Sequence, residues 1–299
     1  MYNTLLMNLI FYSVKILKQN NITMGISVIM SVYKAESSDN LDKALNSIWT
    51  NQSYKPNEII LIEDGPLTDD LYIVIQKWNK ELGESLVIIK NEQNIGLTKS
   101  LNKGIAIAKN TFIARMDSDD ISHPLRFEKQ ISFLKSNKEI SVVGGDIQEF
   151  NRENECLNIR HYPKTNDDIL SYIYKASPLA HPAVMIRKEI FDNGLTYNER
   201  YKTSQDLALW YDVLCKGYKI GNIEDIVLYF RREDGVYKRR GKDKAVNEFK
   251  IYINGISRLY GVVTWRYIFP LARLVARLMP TTIVKFLYNS KARKYLLNK

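Results

Sequence analysis

Cysteine is almost absent: among 299 residues only Cys156 and Cys215 carry thiols. Two thiols so far apart form neither a disulfide framework nor a zinc cluster, which points to a reducing cytoplasm. No run reaches the ~20 apolar residues that a membrane-crossing helix needs. The nearest approach, Leu5 to Val14, has no basic segment before it and no small-residue cleavage site after it. It is therefore not read as a signal peptide. It reads as an amphipathic helix lying on a membrane or against the fold, and residues 1–24 are set apart as an N-terminal extension. Glycine is missing where two large enzyme classes need it. The segment Ser31-Val32-Tyr33-Lys34-Ala35-Glu36 follows the first strand and contains none. That excludes the dinucleotide fingerprint and the glycine-rich loop of a nucleotidyltransferase. Internal repeats and low-complexity tracts are absent too.

What remains is the composition of a folded protein, 45% hydrophobic and 25% charged, long enough to bury a sizeable core. The net charge of +10 suits an anionic partner: nucleic acid, a phosphorylated substrate or anionic lipid.

From Gly25 the pattern alternates. Ile26 to Tyr33 is a β-rich run, and residues 40–51 put Leu41, Ala44, Leu45 and Ile48 on one helical face. Glu58 to Ile62 predicts a second strand, closed by the turn Glu63-Asp64-Gly65-Pro66. A helix through 69–81, a strand over 86–89, a helix near 97–109 and a strand over 111–116 follow. Such alternation predicts a mainly parallel, Rossmann-like sheet flanked by helices, an α/β fold. After Phe150 the alternation loosens, with a helix over 204–217, a strand from Ile223 to Phe230 and a basic, largely helical remainder.

Ligands of parallel sheets bind beyond the carboxyl ends of the strands. Ser31, Tyr33, Glu63, Asp64 and the run Asp117-Ser118-Asp119-Asp120 all fall there. Three carboxylates within four residues repel one another unless a cation lies between them, and oxygen donors suit Mg²⁺ or Mn²⁺. Taken by itself, such a triplet is more often a solvated loop with an Asp capping the next helix. Its strand-end position beside a second acidic pair favours the metal. A nucleic-acid-binding role, the reading that the charge alone suggests, leaves clustered carboxylates without a task, since they repel phosphate.

Ser27-Val28-Ile29-Met30-Ser31-Val32-Tyr33, Glu63-Asp64-Gly65, Asn94-Ile95-Gly96, Asn102-Lys103-Gly104 and Asp117-Ser118-Asp119-Asp120 occur in order. Over residues 25–232 their spacing resembles the family 2 glycosyltransferases, whose fold is GT-A. Ala114 to Asp120 with Pro124 to Gln130 is similar to bacterial exopolysaccharide and capsule enzymes of the amylovoran-biosynthesis type. The resemblance implies a GT-A catalytic domain over 25–232, with a nucleotide-binding half at 25–122 and an acceptor half at 123–232. Residues 233–299 then form a basic helical C-terminal region.

It also implies roles. Ser31 and Tyr33 line the nucleotide pocket, Glu63 and Asp64 meet the base, usually uracil, and Asn94 and Gly96 shape the rim. Asn-x-Gly is equally plain turn chemistry. Asp117 touches ribose or sugar and lies beside the metal, Asp119 holds the metal, and Asp120 is a possible metal partner. Glu63 stands where the family often has Asp. Asp206 would be the catalytic base of an inverting transfer, although its residues alone read as a helix cap. Gln205 replaces the usual first acid of that pair. His181 could complete the metal site, whereas a lone histidine is more often structural. The expected reaction moves a sugar from a UDP-sugar to a lipid-linked saccharide in surface-polysaccharide biosynthesis, with no nucleic acid involved. The alternative is a non-catalytic nucleotide-sugar-binding relative. Past the catalytic domain, Arg231 to Lys242 reads either as a loop closing on phosphate or as a solvated basic loop. From Trp265 to Met279, apolar residues interleaved with Arg266, Arg273 and Arg277 suit peripheral contact with the inner face of the cell membrane, and packing of this helix onto the catalytic domain is the competing reading.

Overall fold

The computed structural model describes residues 25–151, 155–232 and 242–278. The proposed N-terminal extension, residues 233–241 with the basic cluster Lys238 to Arg240, and residues 279–299 of the proposed C-terminal region lie outside them. Four strands open the fold: β1 (Ile26–Val32), β2 (Glu58–Glu63), β3 (Leu86–Lys90) and β4 (Phe112–Asp117). They run parallel in the spatial order β3-β2-β1-β4. Their near-continuous apolar runs follow from burial on both faces. The connections are α1 (Ser38–Ile48), α2 (Asp69–Leu82) and α3 (Leu97–Ile107). The stripe Leu41, Ala44, Leu45 and Ile48 is fully buried, as its spacing predicts.

The second half is mixed. It comprises β5 (Ile121–Ser122), α4 (Arg126–Ser136), β6 (Ile140–Phe150), β7 (Cys156–Arg160), α5 (Asn166–Leu170), β8 (Met185–Arg187), α6 (Glu189–Asp192), α7 (Gln205–Cys215) and β9 (Lys219–Arg231). Strand β8 runs antiparallel to both β4 and β6, β6 runs parallel to β9, and β5 and β7 pair antiparallel at the margins. The sheet is thus all-parallel through β4 and mixed beyond it, where β6 and β9 form the one further parallel pair among the described residues. One strand the pattern did not announce, β6, carries Gly144, Gly145, Asp146, Gln148 and Glu149, which break any apolar alternation.

Helices cover both faces. One apolar layer draws on α1, α2 and α4, the other on α3, α6 and α7. Beyond β9 come α8 (Lys242–Tyr260) and α9 (Ile268–Leu278). Helix α8 belongs to the second layer through Ile251, Tyr252 and Ile256. It lies close on α7: a Cβ at Gly255 would fall 2.2 Å from the Tyr211 ring. Among the described residues, no helix is long and apolar enough to cross a membrane.

Candidate active site

The strand order reverses at β1, with β2 on one side and β4 on the other, which opens a crevice at their carboxyl ends. Ser31 is in register with Asp117 there and is half-buried. Tyr33 stands at the rim, 48% exposed.

Asp64 ends β2 and ties down the next loop. Its Oδ1 accepts from the Ile95 N–H at 2.8 Å and the Asn91 amide at 3.2 Å, and Oδ2 accepts from the Gly96 N–H at 3.0 Å. Gly65 makes this possible. It has a φ of +90°, and a Cβ there would lie 2.6 Å from the Asn94 nitrogen. Only part of the Asp64 acceptor capacity is therefore left for a ligand. Beside it Glu63 is buried and its Oε1 has no partner. Burial pushes its carboxyl up, opposed by Lys90 at 3.6 Å. Asn94 is exposed and Gly96 precedes α3. Both line a cleft of about 460 Å³ between residues 93–99 and the loop bearing Glu199, Tyr201 and Lys202.

At the end of β4 the ligand oxygens of Asp117, Asp119 and Asp120 lie within 4.8 Å of one another. Asp120 is buried; its Oδ1 accepts from the Arg231 N–H at 2.8 Å, while its Oδ2 has no partner. Burial and the charges of Asp117 and Asp119 drive its carboxyl well up. Burial, then Asp117 and Glu36, push Asp119 up to about 7. A buried, unpartnered carboxylate oxygen among repelling acids fits a hard divalent cation such as Mg²⁺ or Mn²⁺.

Three residues organise this cluster: Glu36 and Arg115, which the pattern did not single out, and Arg231, expected to open a basic loop but placed instead in β9. Glu36 accepts from the Ser118 hydroxyl at 3.0 Å, which ties the β1–α1 loop to the acidic turn. Arg231 sits at the end of β9. Its Nε donates to the Asp119 carbonyl at 2.8 Å, so it braces the turn. Arg115 lies beneath: it is 4% exposed, paired through Nη2 with Asp117, and its Nε and Nη1 have no partner. Its charge opposes the upward shifts of Asp119, Asp120 and Asp206. A lone charge inside an apolar strand was the available signal.

Asp206 lies in the first turn of α7. Ser204 before it adopts the left-handed conformation (φ 59°), the one such non-glycine among the described residues, at the turn into α7. Burial pushes the Asp206 carboxyl up, while the Leu207 N–H and Arg115 pull it down. His181 lies deeper. Its Nε2 is 2.7 Å from the Tyr197 hydroxyl, and its ring packs edge-on against Trp210. Burial, then Arg115, holds it well below its usual value, so it is neutral. The grouped acids do not include it.

A carboxylate cluster at the switch point of a helix-flanked α/β sheet is the arrangement of a GT-A glycosyltransferase. The chain belongs to glycosyl transferase family 2, whose model matches residues 27–195. It is 34% identical over 270 residues to the amylovoran biosynthesis glycosyltransferase AmsE of Erwinia amylovora, covering 90% of this chain and 99% of that one. It is 32% identical to the UDP-Gal:alpha-D-GlcNAc-diphosphoundecaprenol beta-1,3-galactosyltransferase of Escherichia coli, over 92% and 98% of the two chains. Among solved structures it resembles S. aureus TarS, at a TM-score of 0.61 and 19% identity, over 85% of this chain and 43% of that one. The TarS 1-349 complex with UDP-GlcNAc matches at a TM-score of 0.59 and 18% identity, over 86% and 82%.

Proposed function

We propose that this glycosyltransferase moves a sugar, with inversion, from a UDP-sugar to a lipid-linked saccharide in surface-polysaccharide assembly at the inner face of the membrane. The observation that carries the reading is the trio Asp117, Asp119 and Asp120, with its unpartnered Asp120 oxygen, beside Arg115, which pairs with Asp117 and whose charge also reaches Asp206. Asp119 and Asp120, with Asp117 beside them, would hold Mg²⁺ or Mn²⁺, which neutralises charge on a departing diphosphate.

The chain's own residues do the rest. Residues 25–122 hold the nucleotide: Glu63 and the free face of Asp64 meet the base, Ser31 and Tyr33 flank it, and Asn94 and Gly96 form the rim. Asp117 meets the ribose or sugar, oriented by Arg115. Residues 123–232 present the acceptor, and Asp206 takes the proton of its attacking hydroxyl; a carboxyl raised by burial is the stronger base once ionised. The trio accounts for the cation without His181, whose place is to support Tyr197 beneath the site. The names of relatives support the donor and acceptor classes, since one acts on UDP-Gal and a diphosphoundecaprenol-linked sugar. Clustered carboxylates at the crevice argue against nucleic acid.

Calorimetric titration with UDP, and separately with GDP, in Mn²⁺ and in chelator, tests the donor site. Metal-dependent UDP binding that Asp119→Ala abolishes is expected. Tighter GDP binding would overturn the uracil assignment, and no metal-dependent binding of either by folded protein would refute the donor site.

A further inference from the structure

The exposed face of α9 and of the turn before it is apolar. Val262 and Val263, in the turn after α8, are 80% and 96% exposed, and Trp265 is 63% exposed. Along α9, Ile268, Leu271 and Val275 continue the strip at 61%, 53% and 45%. A spacing of three and four residues places these side chains on one helical face. Soluble proteins seldom leave so continuous an apolar strip uncovered without using it.

The arginines between them, expected from the sequence to meet lipid, turn inward instead. Arg273 Nη1 donates to Glu248 Oε1 at 3.0 Å, and Arg277 Nη1 to Glu248 Oε2 at 2.5 Å. The Arg266 guanidinium lies over the Tyr260 ring, 4.4 Å from its centroid. The three cations beside the strip are therefore already paired or stacked within the fold. Val262, Val263 and Trp265, the most exposed of the group, lead a ridge that α9 continues. Residues 242–278 nevertheless hold seven basic side chains against two acidic ones. A ridge of aliphatic groups with an indole beside them and surrounding positive charge is complementary to an anionic bilayer. The acyl boundary takes the ridge, and the headgroups take the indole N–H and the charge.

The placement is functional as well. Helix α9 packs on α8, and α8 packs on α7, which opens with Asp206. Glu248, held by the two α9 arginines, lies near enough to Asp206 for its charge to be felt there.

We propose that the ridge from Val262 to Val275 docks the enzyme on an anionic lipid bilayer by shallow apolar insertion, bringing the α7 end of the site to the membrane. The choice of a bilayer as occupant rests on the lipid-linked acceptor proposed above.

The full chain is sedimented with phosphatidylcholine vesicles, with and without phosphatidylglycerol, at low and high salt. Wild type is expected to bind both, more tightly with the anionic lipid, with a blue shift of tryptophan emission that survives high salt. Leu271→Glu with Val275→Glu, and separately Val263→Asp, should weaken binding by roughly tenfold or more. These exposed positions leave the fold intact, and UDP binding with Mn²⁺ by the variants should match wild type. If wild type binds vesicles but not UDP, docking stands and the donor reading falls. Docking is overturned if wild type ignores both vesicles, if high salt abolishes all binding, or if the variants bind undiminished. It is overturned equally if sedimentation velocity shows a dimer that the Leu271→Glu and Val275→Glu pair dissociates, because a second copy then covers the ridge.

Discussion

Asp119→Asn should make the metal-free protein more stable, and the gain should depend on pH. In the folded chain this carboxyl is raised from 3.8 to about 7, by burial first and then by Asp117 and Glu36. Below about pH 4 the folded and unfolded chains both hold its proton, and no penalty arises. Between pH 4 and 7 the unfolded chain gives up a proton that the folded chain keeps, so stability falls as pH rises. Above 7 the full penalty stands, which for a move from 3.8 to about 7 is at most roughly 4 kcal/mol. Relaxation around a partly exposed group reduces this, so a gain of about 2–4 kcal/mol at pH 8 is expected for Asp119→Asn. For a chain of this size that is several degrees in Tm. Scanning calorimetry in chelator at pH 4.5 and pH 8 measures it, and the two proteins should converge at the lower pH. Added Mn²⁺ should raise the Tm of wild type at pH 8 and leave the variant nearly unchanged. The reasoning fails if the variant is no more stable than wild type at pH 8, or if the gap does not shrink on acidification.

Asp206→Asn removes the proposed base and should lower kcat by about 10²–10⁴-fold, with Mn²⁺-dependent UDP binding unchanged in calorimetry. Arg115→Met strips the acids of a buried cation; stability at pH 8 should fall by roughly 2–5 kcal/mol in urea unfolding, and UDP affinity should fall with it. Gly65→Ala combines a left-handed φ with a clash against Asn94. It should cost about 1–3 kcal/mol and weaken nucleotide binding by freeing the 94–96 loop, seen as a higher KM for the donor.

The alternation up to β4 was readable along the chain because each element there is local. A strand buried on both faces needs a continuous apolar run, and a helix lying on it needs a stripe of period 3.6; Ile59 to Ile62 and Leu41 to Ile48 satisfy both with no help from elsewhere. The acidic residues were legible for the same reason, since Asp64 and Asp117 to Asp120 end such strands and parallel sheets bind ligands at that edge. Strand β6 was not, because what makes it a strand is contact at long range. Gly144 and Gly145 have no β propensity, but a Cβ on Gly145 would meet Val227 of β9 at 2.8 Å, so these glycines exist for the pairing.

The support of the acids belongs to tertiary structure alone. Arg231 meets Asp120 across 111 residues of chain, and Glu36 meets Ser118 across 82. Sequence pattern likewise placed arginines and apolar residues together in α9, but only packing against α8 decided that the arginines serve Glu248 and the apolar groups face outward. Local order is encoded in periodicity that neighbouring residues share. Electrostatic environment is not, because burial and Coulomb interaction depend on distances in space that no spacing along the chain contains.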